Sequence, residues 1–306
     1  MTFLLHQFIH DSAKRTPDAP ALLFRQDTLS YRMLEKAVNQ VASGLRTLGI
    51  ERDQRVAIYL PKQFETVSAM FGTTAAGGVF VPVNPVLKPE QVGHILRDCS
   101  TRILITSPDR ARLLSDILAE CPDLNHVVLV GSGDAADAHD HGVPTRPWEQ
   151  MLGEPSPPVL KRIDCDMAAI LYTSGSTGRP KGVVLSHRNM MAGAQSVADY
   201  LKNRADDRLL AVLPFSFDYG LSQLTTAFSV GASVVLMDYL LPRDVIRAVA
   251  RYRVTGLAAV PPLWNQLADL PWPEEAMECL RYITNSGGAM PVNTTSQLKS
   301  ALPNTD

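Results

Sequence analysis

Apolar and polar residues alternate along this chain in two rhythms, a helical one and a strand one, and the rhythm switches repeatedly. Phe3 to Ser12 places Leu4, Leu5, Phe8 and Ile9 on one helical face, and Thr16-Pro17-Asp18-Ala19-Pro20 stops that helix. Ala21 to Phe24 and Thr28-Leu29 bracket Arg25-Gln26-Asp27 as a short hairpin. Ser30 then caps a long helix in which Leu34, Val38, Val41, Leu45 and Leu48 recur at spacings of four and three, and Gly49 ends it where a left-handed cap is wanted.

From there strands and helices alternate. The pattern predicts strands at Val56 to Leu60, Val79 to Val81, Ile103 to Thr106 and Val127 to Val130, separated by helices from Gln63, from Pro89 to Asp98 and from Arg110 to Ala119. Gly131 to Pro158 breaks the alternation and reads as a mobile connection. After it come strands at Ala168 to Tyr172, Val183 to Leu185 (both read as buried), Leu209 to Leu213, Ser233 to Met237, Gly256 to Val260 and Tyr282 to Thr284. Helices are expected at Arg188 to Leu201, Pro242 to Tyr252 and Pro262 to Ala268. Such alternation demands crossover connections, so the expected class is α/β with two similar, mostly parallel sheets flanked by helices. One layer with the linker is expected in 1–158 and the other in 159–306.

Composition narrows the function classes. The 306 residues are 45% hydrophobic and 20% charged, ordinary for a globular chain with a sizeable core. A formal charge of −2 and the lack of a long basic run give no reason to expect nucleic acid. Cys99, Cys121, Cys165 and Cys279 lie far apart with no C-x-x-C pair, which argues against a zinc site and a disulfide framework and fits a cytoplasmic setting. Thr66 to Leu87 is free of charge and long enough to span a bilayer. It contains Gly72, Gly77, Gly78, Pro82 and Pro85, however, and reads as a helix, a Gly-Gly turn and a buried strand, with no membrane span. The start of the chain has no secretory signal pattern.

The candidate chemistry centres on Ala168 to His187. An apolar strand turns abruptly into Thr173-Ser174-Gly175-Ser176-Thr177-Gly178-Arg179-Pro180-Lys181-Gly182. Gly175 and Gly178 free the backbone so that successive N–H groups can point at one anion, the hydroxyls of Thr173, Ser174, Ser176 and Thr177 add donors, and Lys181 brings a compact positive charge. The order Lys181-Gly182 followed by β-branched residues is not a Walker A loop, which ends in G-K-[ST] and runs into a helix. YTSGSTGRPKG resembles the signature phosphate-binding loop of the AMP-forming adenylating enzymes, the family of acyl-CoA synthetases, amino-acid adenylation domains and luciferases.

Two further stretches carry the resemblance. Leu213-Pro214-Phe215-Ser216-Phe217-Asp218-Tyr219-Gly220 is similar to the family motif that lies against the carboxylate-bearing substrate, so Phe217, Asp218, Tyr219 and Gly220 are candidate substrate residues. Many acyl-CoA synthetases have histidine where Phe217 stands, whereas amino-acid-activating members show Phe-Asp, with the aspartate pairing to the substrate ammonium. By itself Asp218 needs a cation or several donors, which a substrate ammonium or the N–H groups of a helix start would both supply. Asn285-Ser286-Gly287-Gly288-Ala289-Met290-Pro291 resembles the family's S-G-G-A-P segment along the adenine, making Gly287, Gly288 and Ala289 candidate nucleotide contacts.

The resemblance implies that a carboxylate and ATP give an acyl-adenylate and pyrophosphate, with Mg2+ faced by Thr173, before the acyl group passes to a thiol. Coenzyme A is the first expectation for that thiol, and a carrier protein's phosphopantetheine is the alternative. Oriented donors, Lys181 and the metal would neutralise charge spreading onto the phosphates. Family members continue past the Gly-Gly-Ala segment with a glutamate that shares the metal, a ribose-binding aspartate and a small C-terminal domain bearing the catalytic lysine. The resemblance places all of these beyond Asp306, so a truncated chain lacking the small domain and any catalytic residue of its own is the expectation. A nucleotide- or substrate-binding module that turns nothing over is the reading from another class.

Four other features are weighed against blander readings. Gly131-Ser132-Gly133-Asp134-Ala135-Ala136 matches a dinucleotide fingerprint but has no apolar helix after it, and reads as a solvated turn. His139 and His141 lack partners at metal-ligand spacing. His187 closes the signature strand and is either a backbone-satisfied histidine or a ligand contact. Asp164-Cys165-Asp166 and Asp206-Asp207-Arg208 read as polar lead-ins to strands.

Overall fold

The computed structural model describes residues 3–131, 142–155, 162–173 and 179–306. Its first elements follow the local signals. Helix α1 (Gln7–Arg15) buries Phe8 and Ile9, strands β1 (Pro20–Phe24) and β2 (Asp27–Ser30) form the hairpin, and Ser30 Oγ accepts from Met33 N–H to start α2 (Tyr31–Thr47). Then come β3 (Arg55–Tyr59), α3 (Phe64–Ala76), β4 (Val79–Pro82), α4 (Pro89–Asp98) and β5 (Thr101–Thr106). The helix expected over Arg110 to Ala119 is two short ones, α5 (Pro108–Leu113) and α6 (Ser115–Leu118), which meet at Leu114 and precede β6 (His126–Leu129).

The expected mobile connection corrects in part. Within it Thr145–Pro147 forms β7, parallel to β6, and Trp148–Met151 forms α7, with Trp148 and Met151 buried in the core. The signal was too short to show a period, yet one tryptophan and one methionine bury enough surface to hold it. The candidate fingerprint after Gly131, with His139 and His141, lies outside the described residues.

The second half runs β8 (Met167–Thr173), β9 (Lys181–Ser186), α8 (His187–Tyr200), β10 (Arg208–Ala211), α9 (Asp218–Val230), β11 (Ser233–Leu236), α10 (Pro242–Tyr252), β12 (Gly256–Ala259), α11 (Pro261–Ala268), α12 (Glu274–Cys279), β13 (Tyr282–Asn285) and α13 (Val292–Ala301). The strands make a six-stranded sheet, β13-β12-β10-β11-β1-β2, and a seven-stranded sheet, β7-β6-β5-β3-β4-β8-β9. All neighbours are parallel except the β1–β2 and β8–β9 pairs. The two mostly parallel sheets are as expected, but the sheets do not divide the chain at 158/159. The N-terminal hairpin joins the sheet of β10 to β13, and β8 and β9 close the sheet built from the first half.

Burial explains why. Along β10, Leu209 and Ala211 face one apolar cluster and Leu210 the other, and along β3, Val56 and Ile58 face inward while Ala57 and Tyr59 face outward. The shared inner cluster is a helical layer of α1, α2, α3 and α9 between the sheets, giving helices, sheet, helices, sheet, helices. In it Phe228 packs edge-on against Phe71 at 5.3 Å and Tyr31 at 6.0 Å between ring centroids. Helix α3 is buried from Thr66 to Ala76, which accounts for the charge-free run, and no helix among the described residues is long and apolar enough to cross a membrane. The sequence pattern missed α9 because Gly220 to Phe228 is buried on nearly every side, leaving no polar face to mark a period.

β9 is a correction. It was expected to be buried, yet it is the edge of its sheet, with Val183 46% and Val184 54% exposed.

The polar lead-ins correct as well. Asp207, 1% exposed at the start of β10, accepts from Arg281 Nη2 at 2.7 Å, Thr255 Oγ1 at 2.8 Å, Arg204 N–H at 2.8 Å and Asn203 Nδ2 at 3.1 Å. Burial alone would raise its pKa, but the donors, Arg281 foremost, outweigh it and hold the carboxyl below its ordinary range. Removing the carboxylate leaves Arg281 and the neighbouring donors unmatched. Asp207→Ala should therefore lower stability by about 3 kcal/mol, the low end for a buried pair because Arg281 keeps some solvent contact. Urea unfolding at pH 7 measures this. Because the folded pKa is depressed, the contribution is present above the ordinary carboxylate pKa and fades as pH falls through the folded value, so the gap between wild type and variant should close in acid.

Candidate active site

Parallel strands bring their carboxyl ends to one edge of each sheet, and the three sequence motifs all leave from that edge. Thr173 ends β8 and Lys181 begins β9, facing each other across the antiparallel register. Both are exposed, and Lys181 has no ion pair among the described residues. Ser174, Gly175, Ser176, Thr177 and Gly178 lie outside the described residues.

The neck of this connection is held by α4, a helix expected from sequence but not in this role. Tyr172 Oη donates to Asp98 Oδ2 at 2.5 Å, and His94 Nε2 donates to the Pro180 carbonyl at 3.1 Å. Burial, with the Asp98 carboxylate, pushes the Tyr172 hydroxyl up, so it stays protonated and donating. One helix thus grips the strand before the loop and the residue after it. No local signal could show this, because α4 lies more than seventy residues away in sequence.

The substrate-side stretch is a tight turn into α9. Phe217 N–H donates to the Pro214 carbonyl at 3.1 Å, and Phe217 O accepts from Gly220 at 2.9 Å. A methyl group on Gly220 would lie 2.1 Å from Pro214 O, so only glycine fits this approach. Tyr219 is half-buried against the outer core, where burial pushes its hydroxyl pKa up. Phe217 is the N-cap residue and Asp218 the first residue of α9. From sequence Asp218 needs a cation or several donors, either a substrate ammonium or the N–H groups of a helix start. It is exposed, with no hydrogen bond or ion pair among the described residues, and it makes no capping contact. The dipole of a thirteen-residue helix favours a carboxylate at its first turn.

The third motif meets the second. Gly287 has φ +80°, a left-handed conformation that favours glycine, and a methyl group there would lie 3.8 Å from Phe217 Cζ. Asn285 Nδ2 closes the turn on the Gly288 carbonyl at 2.9 Å, and Gly288 and Ala289 are exposed.

A cleft of about 660 Å3 joins the first two motifs, with Tyr172, Thr173 and Pro180 on one side and Ser216, Phe217 and Asp218 on the other. Its walls come from both sheets, so it exists only at their seam. No group of three or more His, Cys, Asp or Glu able to hold a metal occurs among the described residues. A hard cation such as Mg2+ would meet the Thr173 hydroxyl and would take most of its ligands from a bound phosphate and water, a usual arrangement for that ion.

The sequence matches the model of the "AMP-binding enzyme" family over residues 9–306. Tyrocidine synthase 3 of Brevibacillus parabrevis is 30% identical over 306 residues, covering 98% of this chain, and the chain spans 4% of that protein's length. Among solved structures, a putative long-chain-fatty-acid CoA ligase from Rhodopseudomonas palustris CGA009 superposes with TM-score 0.89 at 21% identity, over 99% of this chain and 74% of that one. VinN in complex with L-aspartate superposes with TM-score 0.81 at 26% identity, over 99% of this chain and 74% of that one.

His187 belongs to the frame and not to the cleft. It is 2% exposed, and its Nδ1 accepts from Leu5 N–H at 3.0 Å, tying α8 to the segment before α1. Burial, then the Arg162 charge, pushes its pKa down to about 4, and burial with His187 beside it pushes His6 down to about 3. Both rings are neutral in the fold and take up protons on unfolding. Their contribution is complete above the ordinary value of 6.5 and is lost as pH falls, by about 1.4 kcal/mol per pH unit for each ring until the folded values are reached. His187→Gln keeps an acceptor for Leu5 N–H but cannot titrate. Urea unfolding between about pH 6 and 4.5 should therefore show a shallower pH slope in the variant. An unchanged slope would mean that His187 titrates as it does in the unfolded chain.

Proposed function

The chain belongs to the AMP-binding enzyme family, and from that premise we propose that it activates an amino-bearing carboxylic acid with ATP and loads it onto the thiol of a carrier protein. The observation that carries the substrate class is Asp218. Its carboxylate opens into the cleft beside Phe217, at the start of a buried helix, without a partner among the described residues. A substrate ammonium would supply that partner, and the substrate's own carboxylate would then point toward Thr173 and Lys181 across the cleft. Similarity to tyrocidine synthase 3, and to a structure of VinN in complex with L-aspartate, supports the amino-acid reading, and with it a carrier-protein acceptor, over the coenzyme A reading that came first from sequence.

In the proposed reaction a carboxylate oxygen of the substrate attacks the α-phosphorus of ATP. The bond from that phosphorus to the bridging oxygen breaks, and pyrophosphate leaves. A thiolate then attacks the acyl carbon and AMP leaves. No covalent step on the protein is required; the work is alignment and charge neutralisation. Lys181 would meet the phosphates as a point charge, and the Thr173 hydroxyl would face Mg2+ together with them. Gly287, Gly288 and Ala289 would offer a flat, side-chain-poor surface to the base.

Two measurements test this in the protein at its full natural length. Substrate-dependent exchange of pyrophosphate into ATP, run with amino acids and their des-amino counterparts, should favour the amino-bearing member. Asp218→Asn should cost that member about ten- to a hundredfold in kcat/KM, as expected for a charge-assisted contact, and leave the des-amino member nearly unchanged. Equal losses on both would return the substrate to plain carboxylic acids. Lys181→Ala should raise the KM for ATP by at least about tenfold, and unchanged ATP dependence would remove Lys181 from the phosphate site. Offering coenzyme A and a phosphopantetheinylated carrier side by side decides the acceptor.

A further inference from the structure

A buried lysine sits where the two sheets meet, outside every motif considered so far. Lys62 follows β3 and precedes α3, and it is 6% exposed. Its Nζ donates to Met237 O at 2.8 Å, Asp238 Oδ1 at 2.8 Å and Val212 O at 3.1 Å, while its backbone N–H donates to Asp238 Oδ2 at 3.1 Å. All three ammonium protons are used, so the side chain has none left for a ligand. The Phe215 ring lies with its centroid 6.0 Å from Nζ.

The acceptors show what this contact holds. Val212 is the residue after β10 and Met237 the residue after β11, while Lys62 follows β3 of the other sheet. One side chain therefore binds the ends of two strands across the seam, from the end of a third. Two residues beyond Val212 begins the turn closed by Phe217 N–H on Pro214 O, which delivers Asp218 to the cleft. Lys62 and Asp238 also line the neighbouring cleft of about 600 Å3, which shares Pro82, Asn84 and Ser216 with the one holding Asp218.

We propose that Lys62, braced by Asp238, is a positioning residue for the substrate side of the active site: its ammonium fixes the Val212 carbonyl and the Phe215 ring, and through them the turn that presents Phe217 and Asp218. Lys181 and Thr173 stand on the β8–β9 pair, to which Lys62 makes no hydrogen bond, so the phosphate side is independent of it. The kinetic consequence rests on the adenylation reading; the structural one does not.

The test uses Lys62→Met, which keeps the aliphatic stem, and Asp238→Asn, which weakens the brace from its exposed side without changing volume and keeps the protein folded if the first variant is too unstable. Hydrogen–deuterium exchange should show faster exchange for amides of residues 213–221 than in wild type, with α2 and α3 unchanged. In the pyrophosphate exchange assay the carboxylate KM should rise at least about tenfold while the ATP KM stays within about twofold, a split that general loss of stability would not produce. Unaltered exchange over 213–221, or equal rises in both KM values, would overturn the proposal. If no acid supports pyrophosphate exchange even in wild type, the proposed reaction fails, and the deuterium result alone still decides the role of Lys62.

Discussion

Everything in this molecule depends on one helical layer that two sheets must share. Against the one apolar face of α2, with Phe71, Phe228 and Tyr31 interlocked at the centre, lie α3 and α9, helices buried nearly all round. Such helices cannot face water on any side, so each sheet must cover them, and each sheet in turn needs outer helices for its far face. The layer order follows from that single requirement. It also forces the seam between the sheets, and the seam is where the cleft lies.

The chain reaches this arrangement by exchanging strands between its halves. The N-terminal hairpin extends the second-half sheet, and β8 and β9 complete the first-half sheet. Neither sheet can be finished from one half alone. As a result Thr173 at the end of β8 and Asp218 beyond the end of β10, strands of different sheets, come together only in the complete fold. A site built at such a seam is sensitive to small shifts of one sheet against the other, which gives physical weight to a side chain such as Lys62 that, from the end of β3, binds strand ends of the opposite sheet.

Charge is distributed in step with strand direction. At the amino ends of the strands, acidic and basic side chains are paired. Asp207 gathers Arg281, Thr255 and Asn203 at the starts of β10, β12 and β13, and Asp166 binds Arg52 and Arg162 near the starts of β3 and β8. At the carboxyl ends Asp218 and Lys181 stand exposed without ion pairs among the described residues. Paired charges staple the fold at the amino ends; at the carboxyl ends Lys62 and Asp238 pair as well, while Asp218 and Lys181 are left available for a ligand. The edge strand β9, with Val183 and Val184 in solvent, lies on that same open side.

Much of this was legible in the residues themselves. Ser30, Pro89 and Pro242 announce their helices because capping and the first-turn preference of proline act within a few residues. Most strands read correctly because β-branched and apolar runs between turn residues are local facts, and the expectation of a phosphate-type loop likewise rests on local glycine, hydroxyl and lysine spacing. Tertiary structure alone decided the rest. Sheet membership, the exposure of β9 and the pairing of Asp207 depend on residues dozens of positions away. Helix α9 left no period because it is buried nearly all round, and β7 with α7 was too short to show one. Lys62 carries no local signal, because its acceptors, Val212, Met237 and Asp238, lie 150 or more residues away in sequence. Local chemistry writes elements into a sequence; which faces are covered, and which charges are left without partners, is settled only when distant segments compete for the same surface.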